Sequence, residues 1–102
     1  MRLTQKQLDA IRESFVAHFL PEDKIWLFGS RADDRKKGGD IDFYIETYYD
    51  DSAKAMEKQI GFLRELKKRI GDQKVDVVLN ILKNNKQQRI YDEAKNTGIA
   101  LI

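Results

Sequence analysis

The segment from Asp40 to Ile45 alternates between polar and apolar side chains, and this pattern constrains the fold more than any other. Ile41, Phe43 and Ile45 occupy every second position, which predicts a half-buried β-strand with Asp40 and Asp42 on its outer face. Aspartate is depleted in strands. Residues two apart on a strand lie about 6.5–7 Å from each other. Two carboxylates at this separation can share one hard cation or hold two.

A helix and a strand are expected before this segment. Thr4 and Gln7 form a capping-box pattern that starts a helix, and Pro21 is expected to end it. The apolar stripe of this helix is Leu8, Ile11, Phe15 and Phe19. The short run 25–28 is predicted to be a strand buried on both faces.

Two further helices and a third strand are expected after it. The second helix starts at Asp50, Asp51 or Ser52, and Gly71 ends it. Its predicted core stripe is Met56, Ile60, Leu63, Leu66 and Ile70. Residues 74–79 predict a strand with one acid. Asn85 and Gln88 are expected to cap a last helix that carries Ile90 and Ala94 and closes at Gly98, and residues 99–102 either add a strand or pack on the sheet.

The order of these elements predicts an α/β (α+β) fold, a small β-sheet with helices packed on it. The connection from Gly29 to Gly39 is short for a parallel crossover, so we expect a mixed sheet. Length bounds the organisation, because 102 residues fit one domain, 1–102, without room for a second domain that would bind an acceptor.

Composition excludes several classes of function. There is no cysteine, so disulfides and thiolate chemistry are excluded and a cytoplasmic location is expected. The charge of +2, from 19 Lys+Arg against 17 Asp+Glu, makes no strong case for direct nucleic-acid binding. No apolar run is long enough to span a membrane, and none resembles a signal peptide.

Two further motifs complete a candidate site. Gly29 and Ser30 follow the first predicted strand, where a glycine lets backbone approach a phosphate and a serine hydroxyl can donate to it. Ser30 is also a candidate cap for a short helix that begins at Arg31, whose side chain adds a cationic contact. If the strand of Asp76 lies beside that of Asp42, a third carboxylate completes an all-oxygen site for Mg²⁺.

The stretch from Leu27 to Ala32, followed by Asp40-Ile41-Asp42 nine residues after Ser30, resembles the signature of the polymerase-β-like nucleotidyltransferases. The chain looks most like the minimal nucleotidyltransferases that are encoded as short chains beside a HEPN protein. The resemblance implies the fold of that superfamily. It also implies that Gly29, Ser30 and Arg31 bind ATP or another nucleoside triphosphate.

By the same resemblance, Asp40, Asp42 and Asp76 are the catalytic and metal-binding acids. They would hold two Mg²⁺ ions, with Mn²⁺ as the alternative, and Asp76 would help to activate the acceptor hydroxyl. The implied reaction moves a nucleoside monophosphate, AMP in the first instance, to a hydroxyl and releases pyrophosphate. The implied acceptor is a tyrosine of a partner HEPN-type toxin, which makes this chain the antitoxin of a toxin–antitoxin pair.

Two other functions stay open at this point. One is a non-catalytic antitoxin that neutralises its partner by binding alone, and the other is an antibiotic-type transferase that modifies a small molecule. The sequence leaves the acceptor, the base of the triphosphate and homo- or hetero-oligomerisation open. Tyr44 shares a face with the two acids and could either line the nucleotide pocket or pack on the sheet.

Overall fold

The computed structural model describes residues 1–32 and 39–102, and the elements occur in the expected order. They are α1 (Gln5–His18), β1 (Lys24–Phe28), a 3₁₀ turn (Gly29–Ala32), β2 (Ile41–Thr47), α2 (Ser52–Ile70), β3 (Val75–Ile81), a second 3₁₀ turn (Leu82–Asn84), α3 (Arg89–Thr97) and β4 (Ile99–Ala100). The central part of the predicted charged loop, 33–38, lies outside the described residues. Within the described ranges, no helix is long and apolar enough to cross a membrane.

The four strands of the described residues form one mixed sheet in the order β3-β2-β1-β4. β1 is antiparallel to both β2 and β4, whereas β2 and β3 are parallel. The parallel pair is possible because α2 provides the long crossover that parallel strands need. The prediction of a mixed sheet is therefore confirmed, and of the two alternatives left open for residues 99–102 the structure shows an added strand at Ile99–Ala100.

The core lies between one face of the sheet and helices α1 and α2. Ile41, Phe43 and Ile45 point into it and are 0% exposed, so the period-two reading of β2 is confirmed. The whole predicted stripe of α1 is buried as well. This helix begins as expected, because the Thr4 hydroxyl accepts from the Gln7 amide and the Gln7 side chain accepts from the Thr4 amide. It ends at His18, before Pro21.

The predicted core stripe of α2 is wrong in part. Met56 and Ile60 are 45% and 51% exposed, and the buried residues are Ala55, Phe62 and Leu66. The ring of Phe62 decides this rotation, because it fits among three core aromatic rings at centroid distances of 5.8–6.1 Å. These rings are Phe15, Phe19 and Phe43. Asp51 caps the helix and Gly71 ends it, as expected.

Three local predictions are wrong. Trp26 and Phe28 of β1 are only half-buried, because α3 is short and covers part of the outer face. Asn85 does not cap α3; it ends the second 3₁₀ turn with a φ of 53°, and Gln88 stands at the helix start without a side-chain bond. The short helix after β1 begins at Gly29 rather than at Arg31, as a single 3₁₀ turn.

Candidate active site

One end of the sheet brings the predicted motifs together. Asp42 is the second residue of β2, and in the parallel register it lies beside Asp76 of β3. On its other side, Asp42 is paired with Phe28, the last residue of β1. Gly29 follows immediately, so the start of the predicted phosphate-binding motif lies next to the two strand acids. The condition set for a third carboxylate, that the strand of Asp76 lies beside that of Asp42, is met.

Gly29 is required at its position for two reasons. Its φ of +74° is a conformation that residues with a side chain rarely adopt. A Cβ placed there would also collide with Oδ2 of Asp42 and would stand 3.2 Å from Cγ of the same carboxylate. The backbone turn and the Asp42 carboxylate are therefore in direct contact, and a side chain at position 29 would force the carboxylate to move.

Asp40 lies just before β2, since the strand begins at Ile41. The Ile41 amide donates to the carbonyl of Lys74 at 3.1 Å, which joins the beginnings of β2 and β3. The ammonium of Lys74 is 3.5 Å from Oδ2 of Asp40. Sequence reasoning missed Lys74 as a part of this site. The signal was its position two residues before Asp76, which puts it on the same side of the chain.

The charges around Asp42 change its pKa. Burial raises the pKa of Asp42 above its ordinary value, and the charges of Asp76 and Asp40 raise it further. Lys74 acts in the opposite direction and lowers the pKa of Asp42. This is the behaviour expected of neighbouring carboxylates that need a cation.

The donor set fits a hard divalent ion by its chemistry. The three carboxylates of Asp40, Asp42 and Asp76 supply only oxygen ligands, which Mg²⁺ and Mn²⁺ prefer. Over the ranges 1–32 and 39–102, however, no three acidic or histidine side chains are close enough to ligate one ion together. Oδ2 of Asp40 lies 3.5 Å from the Lys74 ammonium.

The structure gives Arg31 several protein partners. Its guanidinium donates to the carbonyl of Arg2 at 3.1 Å, the carbonyl of Gly39 at 3.4 Å and the side-chain oxygen of Gln73 at 3.4 Å. Its predicted contact with a triphosphate stays a prediction. The role predicted for the Ser30 hydroxyl lies outside the side chains that the structure describes.

Tyr44 packs on the sheet under α3. It is 1% exposed, and its ring lies 5.3 Å from that of Trp26 and 5.6 Å from that of Tyr91. Its hydroxyl donates to Glu46 at 2.8 Å and accepts from Asn80 at 3.0 Å. Burial raises the pKa of Tyr44. Of the two roles considered for Tyr44, the structure supports packing.

Within the described residues, a four-stranded mixed sheet carries a glycine turn after β1 and one aspartate on each of β2 and β3. This arrangement is consistent with the polymerase-β-like nucleotidyltransferase fold. The family model described as "Polymerase beta, Nucleotidyltransferase" matches residues 13–102. The chain therefore belongs to this nucleotidyltransferase family. No curated protein matches the sequence significantly.

Proposed function

We propose that this chain transfers a nucleoside monophosphate, AMP from ATP in the first instance, to a hydroxyl acceptor in a metal-dependent reaction. One observation carries the proposal. The Gly29 backbone is in contact with the Asp42 carboxylate, which lies in register beside Asp76. A turn suited to phosphate oxygens thus adjoins two carboxylates suited to metal ions.

We assign candidate roles to the residues from their positions. Asp42 lies between the glycine turn and Asp76, so it is our candidate for the ligand shared by two ions, with Asp40 as the second ligand. Mg²⁺ bound there would supply positive charge to the attacking and leaving oxygens. Gly29 and Ser30 are the candidate triphosphate-binding residues, and the triphosphate contact of Arg31 implied by the family resemblance stays a prediction.

Asp76 is the candidate residue on the acceptor side. Its side chain is exposed and adjoins the outer edge of the sheet, since β3 is an edge strand. There it can accept the proton of an incoming hydroxyl. The hydroxyl oxygen forms a bond to the α-phosphorus, the bond from that phosphorus to the bridging oxygen breaks, and pyrophosphate leaves.

The acceptor that we propose is a tyrosine of a partner HEPN-type toxin, with this chain as the antitoxin. The support is the resemblance of the Gly-Ser and Asp-x-Asp motifs to those of minimal nucleotidyltransferases. The exposed position of Asp76 is compatible with an acceptor as large as a protein, because the proposed acceptor side opens to solvent.

The test is to incubate the purified chain, Mg²⁺ and α-labelled ATP with the protein encoded beside it. We expect label on a tyrosine of that protein, and none when the chain carries Asp40→Asn with Asp42→Asn. Asp72→Asn is the matched control, because Asp72 is an exposed acid at the turn after α2; it should label like the wild type. Full labelling by the double variant would refute the mechanism. A stable complex without label would instead favour neutralisation by binding alone.

A further inference from the structure

Arg31 joins three segments that are distant in the sequence. Its Nε donates to the carbonyl of Gly39, one residue before Asp40. One terminal nitrogen donates to Gln73, which directly precedes Lys74 and β3, and the other donates to the carbonyl of Arg2 ahead of α1. The Arg2 amide returns a bond to the Arg31 carbonyl at 2.8 Å. The guanidinium therefore contacts the beginnings of both strands that carry the acids.

We propose that Arg31 is a positioning residue, which fixes the beginnings of β2 and β3 and so keeps Asp40 and Asp76 beside Asp42 and the glycine turn. The planar guanidinium has five N–H donors in a fixed fork, and here its donors serve a different segment in each direction. Half-buried and directed at neutral oxygens, it acts through its shape as much as its charge. The inference rests on the proposed metal site.

Shape and charge lead to different expectations for one conservative variant. A triphosphate ligand requires a positive charge, which lysine also supplies. The bonds from Arg31 to the oxygens of Gly39, Arg2 and Gln73, called the Arg31 clamp, require the fork, which lysine lacks. Arg31→Lys should therefore behave like Arg31→Gln if Arg31 positions the strands. It should behave like the wild type if Arg31 serves mainly as a charge.

Two measurements on the full chain separate the clamp from the metal site. Amide hydrogen exchange reports the clamp, because the Ile41 amide bonds the Lys74 carbonyl between the two strand beginnings. Loss of one net hydrogen bond should accelerate exchange there by about tenfold relative to the rest of β2. Calorimetric titration with Mn²⁺ reports the acids, and disturbed support of metal ligands typically weakens binding by about tenfold or more.

Arg12→Lys is the matched control. Arg12 also donates to a backbone carbonyl, that of Leu101 at 2.8 Å, but from α1 and away from the acids. It should change neither Ile41 exchange nor Mn²⁺ affinity. Gln73→Ala is a milder variant that removes one acceptor and keeps the arginine, and it should accelerate Ile41 exchange in the same direction even if both Arg31 variants fail to fold.

The outcomes decide the proposal in either direction. Faster Ile41 exchange and weaker Mn²⁺ binding in both Arg31 variants, with Arg12→Lys unchanged, would support it. Wild-type exchange at Ile41 in Arg31→Lys or in Gln73→Ala would overturn it. A wild-type chain that takes up no Mn²⁺ would refute the metal site of the proposed function, and the exchange data would still decide whether Arg31 holds the strands.

Discussion

Replacement of Gly29 by alanine should lower the stability of the chain and also displace the Asp42 carboxylate. A φ of +74° held by a residue with a Cβ costs about 1–3 kcal/mol. A chain of this size should lose about 4–8 °C of melting temperature for each kcal/mol. The new methyl group would also collide with the Asp42 carboxylate and push it from its place. Misplacement of a catalytic group by ~1 Å reduces rates by about a hundredfold.

Gly71→Ala is the control that carries the strain without the collision. Gly71 has a φ of +86°, and nothing lies within 4 Å of a Cβ built on it. Both variants should therefore lose stability in thermal unfolding followed by circular dichroism. Only Gly29→Ala should also weaken Mn²⁺ binding and slow transfer from α-labelled ATP. The reasoning is wrong if Gly29→Ala binds Mn²⁺ as the wild type does, or if Gly71→Ala loses as much affinity as Gly29→Ala.

Three further predictions concern charge and packing. Because the pKa of Asp42 is raised in the folded chain, the protonated form of Asp42 adds to the free energy of unfolding. This contribution is fully present below the ordinary pKa of aspartate and is lost as the pH rises through the raised pKa. Without metal, Asp42→Asn should therefore have a higher melting temperature than the wild type at neutral pH, and a lower one would contradict the raised pKa. The affinity of the wild type for Mn²⁺ should fall as the pH drops through that raised pKa. Lys74→Gln should tighten Mn²⁺ binding in calorimetry, since a cation 3.5 Å from Asp40 competes with the metal, whereas weaker binding would show that Lys74 supports the site. Phe62→Ala should lower the free energy of unfolding by about 3–5 kcal/mol in a denaturant titration, because its ring is fully buried; a loss below ~1 kcal/mol would contradict the assigned core.

The fold could be predicted from the sequence where a local pattern is compatible with a single backbone conformation. The alternation in β2, the capping box of α1 and the glycine after α2 each fix local backbone, and all three are confirmed. The juxtaposition of Asp42 and Asp76 was only a condition at the level of the sequence, because strand order depends on the whole fold. The structure meets that condition.

The parts that failed depend on contacts between elements. Helix α2 offers overlapping apolar stripes, and the fit of Phe62 among the core rings selects one of them. Asp23 is buried, and its carboxylate accepts bonds from Leu20, Thr47 and Tyr48; no local pattern indicates such a network. The partners of Arg31 could not be predicted either, because they are backbone carbonyls and an amide brought together only by the fold.

The most direct test of the central claim follows the two ends of the triphosphate in one reaction. The chain, Mg²⁺ and the proposed protein acceptor are incubated in parallel with α-labelled and γ-labelled ATP. Transfer of a nucleoside monophosphate predicts label on the acceptor from the α position only, release of γ label as pyrophosphate, and loss of both signals in the Asp40→Asn/Asp42→Asn variant. Acceptor labelled from the γ position, or α label that persists in the double variant, would contradict the account.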